Sequence, residues 1–578
     1  ARPSAVAVGG LGGAGKTTIA ASIALDPQVA AAFDDVVWVT VGKVDHAGMV
    51  GILGELLGAL ESGKEALAAG EKKALDPVSS MVQRLRAVCA RRAVLLVADD
   101  VWAPTGWAPD AATLLLSAVD VPPMDGGGAS MALFTARDAD DRIFSRLAER
   151  AQRGLARVAM GPLEEPVAAA YLADAAHVGA AGAGAVAPIL ASFGTLPLAL
   201  TLAAACLRAE VEQDASAPLE EAVAAVAALQ DGAPLGEGGG APKAGAWLDS
   251  GLFCAALERA NEHWREGDYT AIYRALQAAM IGLVLPKDFP KFATFGLLGD
   301  DAYAPEAVLG AAWGLSEDTL RALLTQWQDA GLIKWEAQAR RVVLHDLAHD
   351  FAAAMAATQR GGPAAAHGAL VDRCGAALVE GGGAWWRAKP GVESGAAEYV
   401  GGGQLLRHLR EAGRGAEATE VVWKLQWLIH AVKVRGGAAL TSEVGAQLAW
   451  ERAQGEPRRE EAAAMKLLHQ ALVMGAGAWE GAEGPGNVAP QVLGRLGGLE
   501  GGAGGARVAA LLEEAAGWDG GGRAWLRPVR PNFPPPGGAC EAVLEGHTQE
   551  VNSVTALGDG RLASASHDKT VRVWDASS

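Results

Sequence analysis

The nine residues GLGGAGKTT (10–18) carry the densest chemistry in the sequence. They fit G-x-x-x-x-G-K-[ST], with Gly10, Gly15, Lys16 and Thr17 at the fixed positions. The glycines, Gly12 and Gly13 included, let the backbone wrap so that several N–H groups point at phosphate oxygens. A helix expected from about Lys16 to Leu25 adds its positive end. In this reading Lys16 reaches the β- and γ-phosphates, the Thr17 hydroxyl ligates Mg²⁺, and Thr18 belongs to the same nucleotide-binding set. A glycine content of 75 in 578 residues makes the bare pattern easier to meet by chance. Its place, after an apolar strand and at the start of a helix, is what the chemistry requires.

Two further segments supply charge. LLVADD (95–100) is an apolar run ending in Asp99 and Asp100. A strand of this kind brings its carboxylates to the carboxyl edge of a sheet, beside the phosphate loop. Asp99 is then placed to hold Mg²⁺ through water, and Asp100 to orient an attacking water. FTARD (134–138) ends another strand and offers Arg137 to a γ-phosphate; the alternative is a surface pair with Asp138 or Asp140. In HDLAHD (345–350), His345 and His349 stand one helical turn apart, a spacing that can hold a metal. No third ligand is evident, so His349 is read as an ordinary helix-surface residue.

Elements must deliver these groups to one place. Runs at 4–9, 36–41, 93–98, 131–136 and 156–161 are apolar and β-branched, and helical patterns separate them. That is the signature of a buried parallel sheet in an α/β layer. The expected organisation is a P-loop α/β domain over 1–161, a small helical domain over 162–230 and a Gly-rich linker over 231–246. A winged helix over 247–356 follows, with Ser316 capping its second helix and strands at 332–336 and 341–345. A helical arm (357–529), a Pro/Gly linker (530–540) and a single β-rich blade (541–578) complete it. The fold class is multidomain α/β plus α.

Composition narrows the function. A net charge of −18 makes bulk nucleic acid or an anionic membrane a poor partner. The second helix of the winged segment sets Arg321 among Glu317, Asp318 and Asp329, against the basic face a DNA groove requires. Val178–Leu207 has no charged residue, but it is mostly Ala and Gly and contains Pro188 and Pro197. Two helices broken near GTLP (194–197) are expected there rather than a membrane span. Five scattered cysteines give no disulfide framework and fit a reducing, cytoplasmic setting.

GLGGAGKTT, VVWVTVG, LLVADDVW, FTARD, GTLPLAL and LHD (344–346) occur in order, over about residues 1–356. Together they resemble the NB-ARC nucleotide-binding module of plant disease-resistance proteins and animal apoptotic protease-activating factors. The resemblance implies an ATP/ADP switch, at most a slow ATPase, that self-associates when ATP-bound. It implies that Pro197 contacts adenine, that Arg137 senses phosphate, and that His345 touches the β-phosphate of ADP and holds the module closed. Leu344 stands where the family has Met. The family also has an adenine-contacting segment upstream of the phosphate loop and an amino-terminal effector domain. Here nine residues precede Gly10, so both are expected beyond this sequence. Residues 395–445 resemble the helical arm of the apoptotic type.

The last 38 residues resemble one WD-repeat blade, from Gly546–His547 to Trp574–Asp575, with Asp568 at the acidic turn position. One blade cannot bury both its faces, so a truncated propeller is expected, its further blades sensing a protein ligand. Two rival readings use the same motifs: a nucleotide-regulated transcription factor acting through the winged helix, and a non-hydrolysing scaffold. The intact Lys16–Thr17 and Asp99–Asp100 pairs stand against the scaffold.

Overall fold

The structure is a computed structural model. It describes residues 3–42, 46–61, 77–102, 110–123, 128–137, 141–214, 216–229, 270–298, 303–359, 361–379, 404–475, 478–479, 484–502, 504–537, 551–557, 561–566 and 570–575. The expected linker at 231–246, Asp138, Asp140, Gly546, His547 and Asp568 lie outside the described residues.

Five parallel strands form the amino-terminal sheet: β1 (Ala5–Gly10), β2 (Asp35–Gly42), β3 (Val94–Val101), β4 (Met131–Ala136) and β5 (Leu155–Met160). Their order is β2-β3-β4-β1-β5. Alternation of side chains splits the sheet into two faces. Ala5, Ala7, Leu96, Ala98, Ala132 and Phe134 pack under helices α2 (His46–Glu61), α3 (Pro77–Arg91), α4 (Ala111–Val119) and α5 (Asp141–Arg150). Val8, Leu95, Val97 and Leu133 pack under α1 (Lys16–Leu25) through Ala20. Burial on both faces explains why these strands read as continuous apolar runs. Since β1 lies between β4 and β5, the chain leaves β1 for the far edge and later returns past it. This puts the loop after β1 in the crevice where such sheets bind ligands.

Helices α6 (Glu165–Ala175), α7 (Ala187–Phe193), α8 (Pro197–Gln213) and α9 (Leu219–Ala228) follow. The break between α7 and α8 falls at Gly194, whose φ of 70° ends one helix, and Pro197 opens the next as its first residue. Among the described residues no helix is long and apolar enough to cross a membrane.

After α10 (Thr270–Leu283) come β6 (Ala304–Pro305), α11 (Glu306–Trp313), α12 (Glu317–Asp329), β7 (Lys334–Glu336) and β8 (Arg341–Val343). The Ser316 hydroxyl caps α12 by accepting from the Thr319 N–H. The sequence indicated two strands here; the structure adds β6, in the antiparallel order β6-β8-β7. Arg321 is taken up by Glu317 at 2.8 Å. Trp313 and Trp327 pack edge-to-face with Phe295, and Trp327 is fully buried. These rings belong to the core of the helical region.

Helices α13 (Asp346–Thr358) and α14 (Gly362–Leu378) lead into the arm: α15 (Gln404–Glu411), α16 (Gly415–Val422), α17 (Leu425–Ala453), α18 (Arg459–Met474), α19 (Val488–Leu496) and α20 (Gly505–Ala516). The Pro-rich stretch after α20 differs from a free linker. The N–H groups of Asn532 and Phe533 both donate to the Gly494 carbonyl, and Arg495 donates to the Pro534 carbonyl. The Arg495 guanidinium also lies 5.2 Å from the Phe533 ring centre. A side chain at position 494 would fill the space that the Phe533 ring occupies.

Strands β9 (Val551–Ala556), β10 (Arg561–Ser566) and β11 (Val571–Asp575) form an antiparallel three-stranded sheet, which fits a WD blade. Trp574 is buried and its indole N–H donates to the Ser564 hydroxyl at 2.6 Å.

Candidate nucleotide site

The loop between β1 and α1 is shaped by its glycines. Gly13 and Gly15 have φ of 77° and 91°, backbone that other residues adopt with strain. A Cβ on Gly10 would overlap the Met160 carbonyl, and one on Gly13 would stand 2.9 Å from Leu198 Cβ. Gly12 and Ala14 are buried in the turn. Lys16 Nζ donates to the Gly10 and Leu11 carbonyls at 2.7 and 2.9 Å, so the ammonium sits over the loop. Thr17 and Thr18 are exposed on the first turn of α1. The Thr17 hydroxyl is 3.0 Å from both carboxylate oxygens of Asp99.

Asp99 and Asp100 both lie inside β3, which runs further than its apolar run indicated. Their separate orientations come from a bulge: Ala98 pairs with Phe134 and Val101 with Ala136, three steps against two. An extra residue re-aims side chains beside a site. Asp99 is buried and accepts from the Thr135 hydroxyl as well as Thr17. Asp100 is half-buried with φ of 53°. Its N–H donates to Thr135 Oγ1 at 2.8 Å, and its Oδ2 accepts from the Trp102 indole N–H at 2.9 Å.

Arg137 is buried at the end of β4, and its guanidinium lies 4.3 Å from the Trp102 ring centre. It forms an ion pair with Asp346, the first residue of α13. This partner lies 209 positions away, apart from the phosphate and the two local acids that the sequence offers. The preceding residue, His345, caps the same helix: its Nδ1 accepts from the Leu347 N–H at 3.2 Å. An Nδ1 that accepts leaves the proton of a neutral imidazole on Nε2, which is then a donor. His345 keeps exposed surface, and the protein packed around it partly desolvates the imidazole. That desolvation holds the imidazole below its usual range. Asp346 opposes the shift, and the charges of Arg137 and Lys16 add to it. The exposed surface moderates the effect without changing its direction, so the ring is neutral at neutral pH.

Pro197 is the first residue of α8, and the neighbouring Leu198 N–H donates to the Gly13 carbonyl at 3.2 Å. Ala14 is buried in one core with α8, α10, α12 and α13. The structure therefore brings together the phosphate loop, Asp99, Asp100, Arg137, Pro197 and His345, from segments more than 300 residues apart. His349 departs from the reading of a surface residue: it is half-buried, and its Nε2 is 3.0 Å from the Leu298 carbonyl. Among the described residues no cluster of three or more His, Cys, Asp or Glu could hold a metal.

A parallel sheet with this strand order, this loop and a carboxylate facing the loop's threonine defines a P-loop nucleotide-binding domain. Residues 1–140 match the NB-ARC domain family, and residues 538–575 match the WD domain, G-beta repeat family. The chain thus carries an NB-ARC domain near its amino-terminal end and a WD repeat near its carboxyl-terminal end, and the first of these supports nucleotide binding. No curated protein matches the chain. Among solved structures it is similar to the ORC2 protein of Aeropyrum pernix, described as ADPNP–ADP complexes. Identity is 16% and the TM-score 0.28, over 61% of this chain and 87% of that one.

Proposed function

We propose that this protein is an ATP/ADP-binding signal-transduction switch, closed with ADP and open and self-associating with ATP, acting in the cytoplasm. The observation that carries the reading is the convergence on the phosphate loop of Arg137 and His345, both engaged with the start of α13. A neutral His345 with its proton on Nε2 can donate to a β-phosphate. Arg137, paired with Asp346, is a cation that a γ-phosphate can draw away. Nucleotide identity then decides whether the start of α13 stays paired with Arg137. The hard-oxygen pair of Thr17 and Asp99 suits Mg²⁺, which would neutralise phosphate charge there. Asp100 orients water for slow hydrolysis, Pro197 borders the adenine, and Gly10, Gly12, Gly13, Gly15 and Thr18 cradle the phosphates. The WD-repeat region senses a protein ligand, and an effector is coupled at the amino-terminal side.

Equilibrium binding of fluorescent ATP and ADP to the full chain tests the phosphate site. Lys16→Ala removes a charge-assisted contact worth ~1.5–3 kcal/mol, so affinity is expected to fall roughly 10- to 150-fold. Equal affinities for the variant and the parent chain would refute it.

A further inference from the structure

Trp102 touches both halves of this machinery, and no motif reading gives it a task. Its indole N–H donates to Asp100 Oδ2 at 2.9 Å, and its ring carries the Arg137 guanidinium at 4.3 Å from the ring centre. Arg137 in turn pairs with Asp346 at the start of α13. The four side chains form a line from the bulged end of β3, past the end of β4, to the helix that His345 caps.

We propose that Trp102 is a positioning residue that ties the hydrolytic carboxylate to the latch. This rests on the roles assigned above to Asp100 and Arg137. The two contacts use different parts of one indole. The N–H holds one oxygen of Asp100 and so helps to set the aim of the carboxylate. Asp100 sits at a positive φ on a bulge, strained backbone that persists where the surrounding contacts hold it. The π face stabilises the guanidinium where it meets Asp346, since a desolvated cation gains from an aromatic quadrupole. When Arg137 leaves Asp346 for a phosphate, the guanidinium keeps its contact with the same ring. A shift of the ring to follow the cation changes the aim of Asp100, so that hydrolysis is matched to the state of the latch.

The two contacts can be removed separately. Trp102→Phe keeps an aromatic face and deletes the N–H; Trp102→Leu deletes both. On the full chain, single-turnover hydrolysis of bound Mg²⁺-ATP, ATP affinity and the release rate of fluorescent ADP are measured. Trp102→Phe is expected to slow hydrolysis roughly tenfold, the size of one lost hydrogen bond to a charged group. ATP affinity and ADP release should stay as in the parent chain. Trp102→Leu is expected to slow hydrolysis as much and also to speed ADP release, by roughly 2- to 30-fold. Adding Trp102→Phe to Asp100→Asn should cost no further hydrolysis, because the N–H acts through that carboxylate. A purely structural role would instead lower affinity in both variants and add to Asp100→Asn. Parent-like hydrolysis by Trp102→Phe, beside a slow Asp100→Asn, would overturn the coupling and leave the switch reading standing. Parent-like hydrolysis by Asp100→Asn would overturn the role given to Asp100 and, with it, the coupling, while the affinity and ADP-release tests of the switch are unaffected. Should Trp102→Leu fail to fold, Trp102→Phe and the double variant still decide.

Discussion

At the scale of single residues, the two adjacent acids have different surroundings and should fail differently. Asp99 is buried and shares its oxygens with Thr17 and Thr135, whereas Asp100 is half-buried and held by Trp102. Asp100→Asn keeps an oxygen for the indole but loses the charge that, in the proposed function, orients water. It is expected to bind ATP like the parent chain and to hydrolyse it about 10²-fold more slowly, the usual size of a lost general base. Asp99→Asn is expected to weaken Mg²⁺-dependent binding itself. Titrations paired with single-turnover assays would separate them, and equal loss of binding in both would reverse the assignment. The acids, the loop and His345 were legible because each is a local string. The Arg137–Asp346 pair spans 209 positions, and nothing near either residue announces it. The bulge was equally hidden, since it depends on the register of β3 against β4.

At the scale of elements, the five parallel strands were readable from their apolar runs, as were the helix that Ser316 caps and the helix break at GTLP. Short or docked pieces were not: β6 is two residues long, and the stretch through Asn532–Pro534 is fixed by the carbonyl of Gly494 and the side chain of Arg495. One contact between elements has a pH signature. His367 of α14 and His408 of α15 are buried with their Nδ1 atoms 2.7 Å apart. Such a bond needs one Nδ1 to donate and the other to accept. Burial and the nearby Arg407 push His367 down to about 4, and His408 also down. Imidazoles held neutral in the fold bind protons more readily when it unfolds. Their stabilising contribution is therefore full above about pH 6.5 and falls as pH drops toward 4. The melting temperature of the chain should decline across that window, and less steeply in His367→Leu/His408→Leu. An identical decline in both would show that this pair does not titrate with folding.

At the scale of the whole molecule, one apolar core runs from Ala14 of the phosphate loop through α6–α13 to α14. The loop is therefore mechanically part of the helical region. Leu198 and Ile272 crowd Gly13, so in the proposed switch a change at the phosphates has a path through them, as well as through Arg137, toward α13. Beyond α14, the arm packs a separate core around Trp423, Trp427 and Trp479. In the proposed switch, His345 holds the start of α13 to ADP, and losing one hydrogen bond to a charged group costs ~1.5–3 kcal/mol. The most direct measurement is the dissociation rate of ADP from the full chain, followed with size-exclusion chromatography, for the parent and for His345→Ala. The account predicts that the variant releases ADP roughly 10- to 150-fold faster and self-associates without a trigger; a variant that stays monomeric and holds ADP as long as the parent would contradict it.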